Sequence, residues 1–93
     1  MVKIILTGQL KTVAGGSSFE SALAEDAMLM SSIKKFAASR GADFEKVLFS
    51  ESGEMIPSIL IFCDEKQVMS DEPHSLADTK EVLLMLPIAG GLS

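Results

Sequence analysis

The chain has 93 residues, enough for one domain with a single modest core. Its net charge of −5 repels nucleic-acid phosphates, and its one cysteine, Cys63, excludes an intrachain disulfide and a cysteine-rich metal cluster. Hydrophobic residues make up 47 % and charged residues 23 %, a globular composition whose apolar runs fall far short of the ~18 residues of a membrane span.

Val2 to Leu6, broken by Lys3, predicts a buried first strand and not a signal peptide. The expected location is therefore cytoplasmic. Gly8 and the run Ala14-Gly15-Gly16-Ser17-Ser18 supply turn chemistry. Phe19, Ser21 and Leu23 alternate with Glu20, Ala22 and Ala24, which predicts a half-buried second strand. The two strands form a hairpin across a long connecting loop.

From about Ala27 to Arg40 the period becomes helical, with Leu29, Ile33 and Phe36 at i, i+4 and i+7. Lys34, Lys35 and Arg40 lie toward the C-terminal half, where the helix dipole favours cations, and Gly41 marks the end. The start is open: Asp26 is one candidate cap, and Met28 stands where a polar cap is equally expected.

Val47-Leu48-Phe49 is a short apolar patch, and Ser50 to Glu54 a turn. Ser58 to Cys63 predicts a strand apolar on both faces, as a central strand is. Asp64 to Gln67 turns the chain, Val68 opens a short edge strand, and Glu81 to Leu86 is the last strand, stopped by Pro87. The expected order is β-β-α-β-(β)-β: a mixed sheet of four to five strands packed on one main helix, an α+β two-layer domain. The domain is expected over 1–87, with 88–93 a C-terminal tail carrying Gly90-Gly91 and a two-residue extension.

Few residues invite chemistry. Cys63 reads as a buried strand residue, with no second cysteine and only one histidine to activate it. His74, in a polar loop, is expected to be exposed, and one histidine with scattered carboxylates is no metal site. Gly15-Gly16 is a turn, since no Lys-Ser/Thr follows at phosphate-loop spacing. The methionines read as core and edge filler, with Met55 or Met85 as candidates for a partner-facing patch.

Five passages together resemble the MoaD/ThiS group of sulfur carriers, relatives of ubiquitin, with the small-subunit family of molybdopterin synthase as the nearer likeness. They are Val2 to Leu6 with Gln9 to Gly15, the helix Leu29 to Gly41, Phe49 to Pro57, Ser58 to Cys63, and Ala77 to Val82 followed by Leu86-Pro87-Ile88-Ala89-Gly90-Gly91. The likeness implies a ubiquitin-like β-grasp fold. Two positions depart from it. Cys63-Asp64 stands where the family often has Asn-Gly, and Leu92-Ser93 follow the second glycine.

The resemblance implies a carrier with no catalytic residue, bound cofactor or metal of its own. Gly91 would be the attachment point, Ile88, Ala89 and Gly90 the tail, and Leu86 and Pro87 the docking surface. Processing would fall between Gly91 and Leu92, by a metalloprotease. A ubiquitin-activating-type enzyme would spend ATP to adenylate the carboxylate, a sulfur donor would give the thiocarboxylate, and a large synthase subunit is a further implied partner. Glycine suits such a tail because it threads a narrow channel and leaves its carbonyl open to attack. Leu92-Ser93 are either a processing peptide or an inert remnant. A protein modifier joined through Gly91 to target lysines, and an interaction domain with an idle tail, are the competing readings.

Overall fold

The computed structural model describes residues 1–86. Strands β1 (Val2–Leu6), β2 (Ser18–Ser21), β3 (Leu60–Cys63), β4 (Lys66–Val68) and β5 (Glu81–Met85) form one sheet in the order β2-β1-β5-β3-β4. β5 runs parallel to β1 and antiparallel to β3, so the sheet is mixed. Helices α1 (Gly8–Ala14), α2 (Leu29–Arg40) and α3 (Ala42–Leu48) supply the second layer.

Strand alternation builds the core. Val2, Ile4 and Leu6 on β1, Ile61 and Cys63 on β3, and Val82 and Leu84 on β5 are buried. Leu29, Ile33, Phe36 and Ala37 of α2 close over them, with Leu10 of α1 and Phe44 and Leu48 of α3. Phe44 is fully buried, and its ring meets Phe36 edge-on at 5.6 Å between centroids. Truncating such a ring to alanine costs about 3–5 kcal/mol. The buried Ser32 is the exception on the apolar face of α2, and its hydroxyl accepts from the Ala24 N–H at 3.0 Å.

Two expectations are corrected. Gln9 to Ala14, expected as loop, is α1, which places Leu10 and Ala14 in the core one turn apart. Gly15 ends it at φ 84°, a left-handed position glycine tolerates, and donates to the Lys11 carbonyl. The apolar patch 47–49 is the end of α3, whose Phe44, Val47 and Leu48 follow helical spacing. Gly41 ends α2 as expected but also starts α3: its N–H donates to Ala37, and its carbonyl accepts from Glu45. Its φ of 112° with ψ 167° is a region open only to glycine, so one residue breaks the helix. The sheet therefore rests on three helices, with α2 the longest.

Smaller differences follow from pairing. β2 stops at Ser21, leaving Leu23 packed against the core outside the sheet. β5 lies in the middle of the sheet, and β3 beside it is an interior strand, paired on both edges as expected. The turn expected over 64–67 is only Asp64-Glu65, with φ of 48° and 74°, and Lys66 already pairs with Cys63. α2 begins at Leu29 with Met28 at the cap position, and Asp26, two residues earlier, ties the first turn with its side chain. Its carboxylate accepts from the Met28 N–H at 3.0 Å and the Ser31 hydroxyl at 2.9 Å.

Candidate functional site: the tail-bearing strand and its surroundings

β5 is the strand from which the C-terminal residues continue, and both of its edges are hydrogen-bonded. Ile4 pairs with Val82 and Leu6 with Leu84 on one side; Leu60 pairs with Met85 and Phe62 with Leu83 on the other. Its entry is tied as well. The Asp64 carboxylate accepts from the N–H groups of Lys80 and Glu81, the latter at 3.0 Å, and the Asp64 N–H donates to the Glu81 carbonyl at 3.0 Å. The β3–β4 turn thus holds the start of β5, and the sheet holds its length. A tail continuing from this strand starts from a fixed origin.

The sheet face turned away from the helices is apolar in its middle. Ile5, Leu60, Phe62, Leu83 and Met85 all point there and are half-buried, joined by register: Ile5 opposite Leu83, Leu83 opposite Phe62, Met85 opposite Leu60. Lys3, Glu20 and Glu81 edge the patch. The apolar run of each strand was visible in sequence, as was Met85 as a candidate for a partner-facing patch, but the lateral neighbours that join Ile5, Phe62 and Leu83 to it were not.

Leu86 is half-buried and packs against the core just past β5. The other residues assigned from the resemblance, namely Pro87, Ile88, Ala89, Gly90, Gly91 and Leu92, lie outside the described residues, as does the boundary at 87/88. Cys63 is buried, as expected, and burial together with the adjacent Asp64 pushes its thiol up to about 11, which suppresses the nucleophilic thiolate. His74, expected to be exposed, is half-buried, and its carbonyl accepts from the Leu29 N–H at 2.8 Å, joining its loop to the start of α2. Met55 is buried and Met85 belongs to the open face, while Met69, which sequence did not single out, is exposed. Among the described residues no group of three or more His, Cys, Asp or Glu could hold a metal ion, and no helix is long and apolar enough to cross a membrane.

A five-stranded mixed sheet whose first and last strands lie parallel in the middle, crossed by helices on one face, is the ubiquitin-like β-grasp fold. Two solved structures share it closely. The crystal structure of SAMP1 from Haloferax volcanii superposes with a TM-score of 0.83 at 21 % identity, over 97 % of this chain and 98 % of that one. A crystal structure of H. volcanii small archaeal modifier protein 1 gives a TM-score of 0.76 at 18 % identity, over 94 % and 97 % of the two chains. No protein-family model matches the chain, and no curated protein matches it in sequence.

Proposed function

We propose that the chain is a carrier protein of the MoaD/ThiS type, working through Gly91 once Leu92-Ser93 have been removed. The observation that carries this reading is β5, paired on both edges in the middle of a β-grasp sheet and leading directly into Pro87-Ile88-Ala89-Gly90-Gly91. In this reading a metal-dependent peptidase hydrolyses the Gly91–Leu92 bond. The freed carboxylate attacks the α-phosphate of ATP on a ubiquitin-activating-type enzyme, and pyrophosphate leaves. A sulfur donor then displaces AMP, and the thiocarboxylate serves molybdopterin synthesis or a related sulfur transfer, with a large synthase subunit as a further partner. The partner supplies the catalysis and binds the ATP. This chain contributes a rigid body and a tail thin enough to enter the partner's site, and the contacts of the body offset the entropy of ordering the glycines.

A second reading shares every step up to the adenylate. The two solved structures described above are of a protein named as a small archaeal modifier, which favours a modifier whose activated Gly91 is passed to a target lysine.

One experiment separates them. The chain ending at Gly91 is incubated with its host's activating enzyme, ATP and a sulfur donor. ATP–pyrophosphate exchange followed by a mass gain of one oxygen replaced by sulfur supports the carrier. Exchange without sulfur uptake, together with Gly-Gly remnants on host lysines, supports the modifier. No exchange with any activating enzyme of the host sinks both.

A further inference from the structure

On the side of the molecule that carries the helices, two hollows of about 800 Å³ and about 480 Å³ share Lys34 and Gly53 in their walls and lie side by side as a two-part groove. Half-buried Phe49 and Ile56 line its first part, and Met30, Met55 and Met69 its second. Met69 is 54 % exposed, and among the described residues it is the one large hydrophobic side chain beyond the terminal Met1 left so open. Met69 stands beside the apolar side chains of Met30 and Met55 and extends their surface outward.

The rim has a sign. Glu45, Glu51, Glu54 and Asp71 carry four negative charges around the groove, against Lys34 and Lys46. The Lys34 ammonium is partly occupied already, 5.9 Å from the centroid of the Phe49 ring. An acidic rim around a methionine-lined floor suits a cationic partner with flexible apolar side chains, because thioethers adapt to varied shapes while the charges steer approach.

The groove also lies where the tail begins. Val68 pairs with Ile61 and Met85 with Leu60, so β4 and β5 both end beside the start of β3. Met69 and Leu86 therefore leave the sheet at the same end. Five residues, 87–91, separate this point from the end of the diglycine, a span of about 17 Å at most for an extended chain. A protein seated in the groove has the diglycine within reach of its own catalytic site.

We propose that this groove receives a basic amphipathic segment of the protein that acts on the C-terminal tail, with apolar side chains on the methionine floor and lysines or arginines against the acidic rim. The inference rests on reading the tail as the acceptor of that protein's chemistry.

The test uses the full chain labelled at its methionine methyl groups and titrated with an amphipathic helical Leu/Lys peptide. Met30, Met55 and Met69 should shift, while Met85, on the open sheet face, should not. Met69→Glu should weaken binding about tenfold, and Asp71→Lys should weaken it and flatten its salt dependence. Shifts at Met85 with the other three silent, or equal binding of a peptide with the same composition and no apolar face, overturn the proposal. With the chain ending at Gly91, Met69→Glu should raise KM for the activating enzyme about tenfold at unchanged kcat. An unchanged KM overturns the groove as that enzyme's seat. Failure of the unsubstituted chain to be adenylated counts against the reading of the tail, and the peptide titration then decides the groove by itself.

Discussion

Asp64 and Glu81 hold each other twice: the Glu81 N–H donates to the Asp64 carboxylate at 3.0 Å, and the Asp64 N–H donates to the Glu81 carbonyl at 3.0 Å. The same carboxylate accepts from the Lys80 N–H. One side chain in the β3–β4 turn thus closes the entry of the strand that leads to the tail. Asp64→Ala leaves two backbone donors to find water, and should cost about 1–2 kcal/mol in urea unfolding. Asp64→Asn, which keeps one acceptor oxygen, should cost less than half of that.

Asp64 and Glu65 turn the chain with φ of 48° and 74°, the two left-handed positions of a tight hairpin. Such a turn favours Asn-Gly. Aspartate tolerates the first position, but glutamate is strained in the second. Glu65→Gly should stabilise the fold by about 0.5 kcal/mol, the relief of strain outweighing the added freedom of the unfolded chain. An unchanged or lower urea midpoint would contradict this.

Arg40 fastens three elements. Its guanidinium lies 4.4 Å from the centroid of Phe19 on β2, and its Nη2 donates to the Ala14 carbonyl of α1 at 2.9 Å, while its backbone ends α2. Arg40→Ala should cost about 1–2 kcal/mol from the stacking and the hydrogen bond together. Arg40→Lys should recover less than half, since an ammonium cannot stack flat and donate sideways at once. Differential scanning calorimetry of the two variants measures both.

Asp26 ties the start of α2 through hydrogen bonds from Met28 and Ser31, and these hold its carboxyl below the ordinary 3.8. The folded state therefore favours the ionised form. The contribution is complete above the unfolded value and is lost as pH falls through and below 3.8. Asp26→Asn should flatten the fall of the urea midpoint between about pH 5 and pH 2.5. A wild-type slope in that window would remove Asp26 from the acid response.

Cys63 has the opposite sign. Burial raises its thiol to about 11 from 9.0, so the neutral form is favoured in the fold, and the contribution is full below pH 9 and lost as pH rises through 11. At pH 8, alkylation by iodoacetamide should proceed only as fast as the protein unfolds, and should accelerate in parallel with destabilising substitutions such as Asp64→Ala. Rapid alkylation of the folded chain would refute it.

Local pattern was enough to find the strands 2–6, 60–63 and 81–85, because each is a short apolar run bounded by turn residues, as a strand covered on both faces is. The main helix and its end at Gly41 came from spacing in the same way. α1 and α3 did not, although Leu10 and Ala14, and Phe44 with Val47 and Leu48, carry helical spacing. Each helix is seven residues long, too short to be stable by itself, and its apolar spacing becomes decisive only when a sheet lies beneath it.

What the sequence by itself determined is the composition of the core, the α+β class and the diglycine ending, all properties of residues near one another in the chain. What only the tertiary structure decided is who lies beside whom. The parallel seating of β5 against β1, the closure of its entry by Asp64, the open face joining Ile5, Phe62 and Leu83, and the groove joining Met30, Met55 and Met69 are contacts between distant segments. Those contacts form because a strand with apolar faces must find lateral partners to satisfy its backbone donors and acceptors, and that demand leaves no mark on local periodicity.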